Sequence, residues 1–338
     1  MPTKKVMLGQ FFTSKVIWLK PQVLEFIEKS GCNIAYDPFA GAGDLLKACG
    51  EIGFTNFIGL DIDETLSWQV NDSLLNIPHI HNAIIVTNPP YLSNYSASRK
   101  KLYPKVQRYF EQTDYDDLYL LALDKMLNAQ KYVVAIVPET FINSNYKNKN
   151  RLASCTVLEE NPFHDTDTPV CVLCFDNEQK AFDEIIVYKN GHFTSTLQDL
   201  EDARIQPKGN ISMTFNVLSG WLGLRAVDTT NPIEMIRFDY KENFNYDWSK
   251  GIKVSSRLLT LIEINIPADQ RDEFIRLCND ELKAIRDQSA DLVLSPFKGN
   301  MKNGVRRRRL DFRTARAIIE IAYSRLIGGT IHGQSRLF

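Results

Sequence analysis

The stretch Ala83-Ile84-Ile85-Val86-Thr87-Asn88-Pro89-Pro90-Tyr91 decides the fold. Ala83–Val86 is an apolar run of strand length and reads as a buried strand. Two successive prolines cannot continue a strand ladder, so the chain leaves the sheet there. An amide, a free backbone carbonyl and an aromatic ring are left on a stiff turn at the carboxyl end of a strand. Open α/β sheets place their ligands at that end. The equipment suits a planar substrate with an exocyclic amino group. The Tyr91 ring can stack on it, while the Asn88 side-chain oxygen and the Pro89 carbonyl accept its two N–H bonds. The plainer alternative is a Pro-Pro turn with an incidental Asn and Tyr.

Outward from that run, strands and helices alternate between Asn33 and Asn177. Ile34–Tyr36, Asn56–Leu60, Tyr132–Val137 and Val170–Phe175 read as strands. Asp44–Glu51, closed by Gly53, and Tyr115–Gln130 read as helices. Such alternation predicts a doubly wound α/β sheet, mostly parallel and Rossmann-like. Ile185–Phe193 reads as a hairpin with an Asn190-Gly191 turn. Beyond it the pattern loosens into short strands, with amphipathic helices over Gln270–Arg286 and Thr314–Leu326. This predicts a mixed α+β second part, with domains over 1–180 and 181–338.

Composition agrees with a globular chain. Its 338 residues allow a large core and two domains, with 44% hydrophobic and 24% charged residues. No apolar stretch reaches membrane-span length, and the N-terminus lacks the apolar region of a signal peptide, so a cytoplasmic protein is expected. The six scattered cysteines read as reduced, buried thiols. Cys171 and Cys174 form a C-x-x-C without a second pair or a nearby His, and read as strand residues; no metal is expected. The net charge is −1, unevenly spread: from Gly299 to Phe338 nine basic residues face Asp311 and Glu320, a net of +7 against −8 for the rest. That asymmetry points to a polyanion partner for the C-terminal part.

Asp37-Pro38-Phe39-Ala40-Gly41-Ala42-Gly43-Asp44 lies where the first strand gives way to a helix. Gly41 and Gly43 let a ligand approach the backbone, and the helix start offers free N–H groups. Position 46 is Leu, so the dinucleotide fingerprint is incomplete. Asp37 would repel a pyrophosphate but suits a cationic ligand, such as the amino and sulfonium groups of S-adenosylmethionine. Asp61 follows the second strand directly and is placed to take both hydroxyls of a ribose, with Asp63 as the surface alternative. Asp72 can accept from an adenine amino group.

In this order the residues resemble the gamma-class N6-adenine DNA methyltransferases of type II restriction-modification systems. The resemblance covers the first half of the chain. It implies an S-adenosylmethionine-dependent enzyme that methylates the N6 amino group of a flipped adenine in double-stranded DNA, on a methyltransferase sheet followed by a target recognition domain. Gly9-Gln10-Phe11-Phe12-Thr13 looks like the family's N-terminal motif, which implies that Thr13 touches the cofactor carboxylate. Thr13, Asp37, Phe39, Gly41, Gly43, Asp61, Asp72 and Asn88 would then surround the cofactor. Asn88, Pro89 and Tyr91 would act on the target. Phe163, in Asn161-Pro162-Phe163-His164, sits where the family carries an aromatic that stacks on the flipped base, or is a core Phe before a strand. Chain order excludes the subclass that inserts its recognition domain before the N-P-P-Y motif, because only residues 44–87 lie there.

Arg99, Lys100 and Lys101 are placed to hold phosphates, or form a solvated helix face. Arg306, Arg307, Arg308 and Arg309 follow a Gly/Asn-rich segment, Gly299–Gly304, and read as a loop that contacts nucleic acid. Three rival readings share the motif: an RNA adenine methyltransferase, a release-factor glutamine methyltransferase, and a non-catalytic DNA-binding subunit on a decayed fold. The resemblance to restriction-modification enzymes also implies a cognate restriction endonuclease as a partner.

Overall fold

The computed structural model describes residues 16–163, 167–252 and 258–334. They form two compact units, Met1–Leu197 and Gln198–Phe338.

The first unit opens with helix α1 (Pro21–Ser30), started by Pro21 and closed by Gly31 in the left-handed conformation. Its sheet contains β1 (Ile34–Asp37), β2 (Asn56–Asp61), β3 (Gln69–Val70), β4 (Ala83–Thr87), β5 (Tyr132–Pro138), β6 (Leu152–Leu158), β7 (Val170–Phe175), β8 (Ile186–Lys189) and β9 (His192–Thr196). The spatial order is β3-β2-β1-β4-β5-β7-β6-β8-β9. From β3 to β5 every pairing is parallel. β7 runs antiparallel between β5 and β6, and β9 antiparallel to β8. This is the doubly wound, mostly parallel, Rossmann-like sheet expected. Every residue of β4 and β7 is buried, as apolar runs covered on both faces should be. Cys171 and Cys174 are both buried on β7.

The helices are α2 (Asp44–Glu51), α3 (Asn94–Arg99), α4 (Tyr103–Phe110) and α5 (Leu118–Ala129). Helix α5 begins at Leu118 rather than Tyr115. Asp117 is extended, and its backbone bridges to Ser93, so the turn before it cannot be helical. The Asn190-Gly191 hairpin forms, with both residues at positive φ, but β8 pairs with β6. That pairing binds the hairpin to the first unit and moves the boundary from residue 180 to Leu197.

The second unit holds an antiparallel sheet ordered β10-β13-β11-β12, from β10 (Met213–Phe215), β11 (Leu222–Arg225), β12 (Arg237–Tyr240) and β13 (Leu259–Ile264). Helices α6 (Leu197–Asp202, at the junction), α7 (Arg271–Gln288) and α8 (Phe312–Gln334) accompany it. Trp221, Leu224, Phe238, Ile262, Phe274, Leu282 and Ile318 belong to one shared core.

Here the reading of Arg306–Arg309 as a nucleic-acid-binding loop is corrected. The four residues form strand β15, paired with β14 (Ser295–Asn300). A strand turns alternate side chains to opposite faces, so Arg306 and Arg308 are buried, at 3% and 0% exposure. Their neighbour is the fully buried Asp228. Its carboxylate accepts from the Arg308 N–H (2.9 Å), the Ile236 N–H (2.9 Å) and the Arg286 guanidinium (3.1 Å). Arg307 donates to the Asp228 carbonyl at 2.8 Å and stacks over the Phe297 ring. Arg286 supplies the charge opposite Asp228, while β15 braces that residue through the Arg308 backbone and the Arg307 side chain, with Arg306 and Arg308 buried instead of forming an exposed polycation.

Removing one partner of a buried ion pair strands the other charge in low dielectric. Asp228→Ala is expected to destabilise the chain by about 3–5 kcal/mol, and Asp228→Asn by clearly less. Chemical denaturation of the full-length variants checks this; a loss under about 1 kcal/mol for the Ala variant would mean the pair behaves as a surface one.

Candidate active site at the switch between β1 and β4

The chain lays β2 and β3 on one side of β1, then crosses to β4 and β5 on the other. The crevice at the carboxyl ends of β1 and β4 is thus the place where such sheets bind ligands. Asp37 ends β1 and Thr87 ends β4. The Thr87 hydroxyl donates to Asp37 Oδ1 at 2.5 Å, and the Phe39 N–H donates to the same oxygen at 3.0 Å. Asp37 is 1% exposed, and burial pushes its carboxyl up to about 7, against the lowering effect of those two bonds.

The turn after Asp37 is built on glycines. Gly41 and Gly43 have φ of 52° and 81°, which other L-residues adopt reluctantly. Asp61, 5% exposed at the end of β2, ties this turn to its own strand. Its Oδ2 accepts from the Gly41 N–H at 2.8 Å and its Oδ1 from the Asp63 N–H at 2.9 Å. Trp68 closes the arrangement from the other side. Its indole N–H donates to the Gly41 carbonyl at 2.9 Å, and its ring lies where a Cβ on Gly43 or Gly59 would sit, 2.8 Å and 2.4 Å away. The sequence reading missed Trp68. A large aromatic directly after the mostly polar segment Asp63–Ser67 was the available signal that something there packs.

A cavity of about 220 Å³ opens beside this turn, lined among others by Phe39, Asp61, Ile62, Asp72, Leu74, Pro90, Leu92 and Tyr109. Phe39, Asp61 and Asp72, named from the sequence, thus meet in one place. The cavity combines apolar walls with two acids. A carboxylate accepts at up to four lone-pair sites, so Asp61 retains capacity for hydroxyl donors beside its two backbone bonds. These residues fit a nucleoside with a positively charged tail. Asp72 also bonds Arg108 and Tyr109 of α4.

Asn88 is half-buried directly after Thr87, and Pro89 and Pro90 are buried. Tyr91 is anchored: its hydroxyl donates to the Ile136 carbonyl on β5 at 2.7 Å. Burial holds this phenol well above its ordinary range. The Phe163 ring meets Tyr91 edge-on, with centroids 6.2 Å apart and planes crossed at 68°. Phe163 is 5% exposed and belongs to the sheet's core cluster, as the plainer reading of it expected. Arg99, Lys100 and Lys101 are all exposed at the end of α3, which Ser93 caps; the Arg99 guanidinium lies over the exposed Tyr95 ring. Thr13, with the Gly9–Thr13 motif, lies outside the described residues, as does His164. Among the described residues no three His, Cys, Asp or Glu side chains gather as a metal group, and no helix is long and apolar enough to cross a membrane.

Residues 71–166 match the family model described as Eco57I restriction-modification methylase. No curated protein matches the chain in sequence. Among solved structures, the chain is similar to a type I restriction-modification system methyltransferase subunit from Streptococcus thermophilus, at 15% identity and a TM-score of 0.40, over 58% of this chain and 53% of that one. It is also similar to a candidate class I S-adenosylmethionine-dependent methyltransferase from Listeria monocytogenes, at 14% identity and a TM-score of 0.38, over 53% and 68%. The M protein of the type I restriction enzyme EcoKI matches at 13% identity and a TM-score of 0.33, over 84% and 71%. The chain spans about half the length of the S. thermophilus subunit.

The raised Asp37 carboxyl has a pH signature. Its folded value near 7 exceeds the ordinary 3.8, so between those values the folded state holds a proton that the unfolded state has lost. Stability from this group is full at low pH and declines as pH rises through that window. The stability difference between wild type and Asp37→Asn should therefore fall from about pH 4 to about pH 7 and level off above. Urea titrations at several pH values read it; a flat or rising difference would refute the shift.

Proposed function

We propose that this chain is an S-adenosylmethionine-dependent DNA methyltransferase acting on the exocyclic N6 amino group of an adenine flipped out of duplex DNA. One observation carries the reading: Asn88-Pro89-Pro90-Tyr91 leaves β4 at the switch point, joined through Thr87 to the buried acid that starts the glycine turn. The family match over residues 71–166, which includes the tetrapeptide, supports it.

In this reading Asp61 accepts from the ribose hydroxyls and Asp72 from the adenine of the cofactor, Phe39 and the glycine turn line its path, and Asp37 faces its cationic end. The bound cofactor supplies an electrophilic methyl group. The nitrogen of an adenine amino group is a poor nucleophile, because its lone pair is delocalised into the ring. Asn88 and the Pro89 carbonyl accept its two N–H bonds, concentrate the lone pair on nitrogen and stabilise the positive charge that develops there. The rest is positioning for in-line attack, and the methylated nitrogen then gives its extra proton to solvent. A stacked base cannot reach the crevice, so the target adenine is extruded, and one face of Tyr91 receives it. Phe163 backs that ring edge-on and closes the aromatic side of the pocket. Arg99, Lys100 and Lys101 hold phosphates, and the second unit serves target recognition. A cognate restriction endonuclease is the partner such a modification enzyme would serve.

Labelled methyl transfer from S-adenosylmethionine onto duplex DNA, RNA and protein in parallel tests the reading. The expected product is N6-methyladenine in DNA. Transfer to RNA or to a protein glutamine would replace the substrate assignment, and DNA binding without transfer would leave a non-catalytic subunit. Asn88→Ala should retain cofactor affinity and lose at least about 100-fold in rate, as for removal of an electrostatic acceptor at the reacting atom. An equal loss of affinity would move Asn88 to the cofactor. Tyr91→Phe keeps the π-face but loses the bond to Ile136, so it should cost about 1 kcal/mol of stability while methylation persists. Tyr91→Ala should abolish flipping, which a fluorescent base analogue at the target position reports.

A further inference from the structure

The cavity beside the glycine turn has a polar corner that the reaction scheme leaves unexplained. Asp72 follows β3, and α4 reaches it from more than thirty residues further along the chain. The Tyr109 hydroxyl donates to Asp72 Oδ2 at 2.9 Å, and Arg108 Nη2 donates to the same oxygen at 2.7 Å. Arg108 Nη2 also donates to the Tyr109 oxygen at 2.7 Å, which closes a triangle of donors on one carboxylate oxygen. Asp72 Oδ1 takes no bond from the described residues. Asp72, Arg108 and Tyr109 all line the cavity.

An exposed ion pair alone would hold nothing firmly, and the Arg108 side chain is 57% exposed. Tyr109 differs. It is 5% exposed and anchors α4 together with Val106 and Phe110. Burial raises its phenol above the ordinary range, so it remains a donor at physiological pH.

We infer that Tyr109, assisted by Arg108, is a positioning residue that fixes the Asp72 carboxylate by Oδ2 and so presents Oδ1 as a selective acceptor for the amino group of a purine ligand. The inference rests on the reading of the cavity as the cofactor's nucleoside pocket. A carboxylate held this way is acceptor-only. A 6-amino purine brings a donor to it, whereas a 6-oxo purine turns a lone pair against it. The selectivity depends on the carboxylate being held, because a freely rotating one would turn away and admit water.

Calorimetry of the full chain with S-adenosylhomocysteine and S-inosylhomocysteine tests this without requiring activity. Wild type is expected to prefer the adenine analogue by at least about tenfold. Tyr109→Phe should weaken S-adenosylhomocysteine by about five- to tenfold and leave S-inosylhomocysteine unchanged, which narrows the preference. Arg108→Gln, at an exposed position that tolerates change, should narrow it in the same sense by a smaller factor. Asp72→Asn should turn the preference toward S-inosylhomocysteine, since its fixed amide then offers an N–H to the 6-oxo group. If Tyr109→Phe weakens both analogues by the same factor, Tyr109 only supports the fold and the inference fails. Equal binding of both analogues by wild type would also overturn it, while leaving the cofactor reading intact. Binding of neither analogue by wild type would overturn the cofactor reading and the inference with it.

Discussion

The hydrogen bond from Thr87 to the buried Asp37 carboxylate is the constraint on which the site rests. It joins the ends of two neighbouring parallel strands and thereby sets the glycine turn against the Asn88–Tyr91 segment. Asp61 repeats the device one strand over, gripping the same turn through Gly41. Burial is the main cause of the raised Asp37 carboxyl, and the neighbouring Asp61 charge adds the smallest contribution. A cation beside the two acids would favour their charged forms. The arrangement favours a ligand with a positive centre over a pyrophosphate, on electrostatic grounds independent of any motif.

Much of the first unit was legible because its strands are apolar runs buried on both faces, with turn residues at each end. β1, β4, β5 and β7 announce themselves that way, and β2 does so by its apolar run, although Asn56 and Phe57 are exposed. β6 does not: Ser154 and Thr156 interrupt its apolar character although both are buried in the sheet. The positions of Asp37 and Asp61 could be read because each acid follows an apolar run and so falls at a strand end. Trp68, Arg108 and Tyr109 could not, since what they touch is decided by tertiary packing. The same blindness misplaced the four arginines. A run of like charge reads as surface, and nothing local reveals that Asp228, some eighty positions earlier, lies folded against it. The hairpin was visible from Asn190-Gly191, but its attachment to the sheet depends on a pairing with β6 that no local pattern encodes.

The Tyr91 hydroxyl bond to Ile136 places a further demand on the ring. The side chain proposed to offer a π-face to a substrate is also a tie between the motif and β5. Its stiffness comes from both ends: two prolines before it and a backbone acceptor beyond it. Tyr119 and Phe163 meet it edge-on, so the ring has little room to swing. Rigid placement of this kind is what positional catalysis requires, since a misplacement of about 1 Å can cost orders of magnitude in rate.

β7 lies between β5 and β6, yet follows both in the chain. During synthesis, β6 emerges with no neighbour to join, and the wholly apolar flank of β5 stands open until Val170–Phe175 has left the ribosome. An uncovered strand edge of that composition is a template for pairing with other chains. The nascent protein therefore passes through a stage of exposed edges that β7 ends for β5 and that lasts for β6 until β8 also pairs. Slow elongation between residues 138 and 175, or truncation within that span, would expose the polypeptide to aggregation and chaperone capture at the place where the finished molecule is most deeply buried.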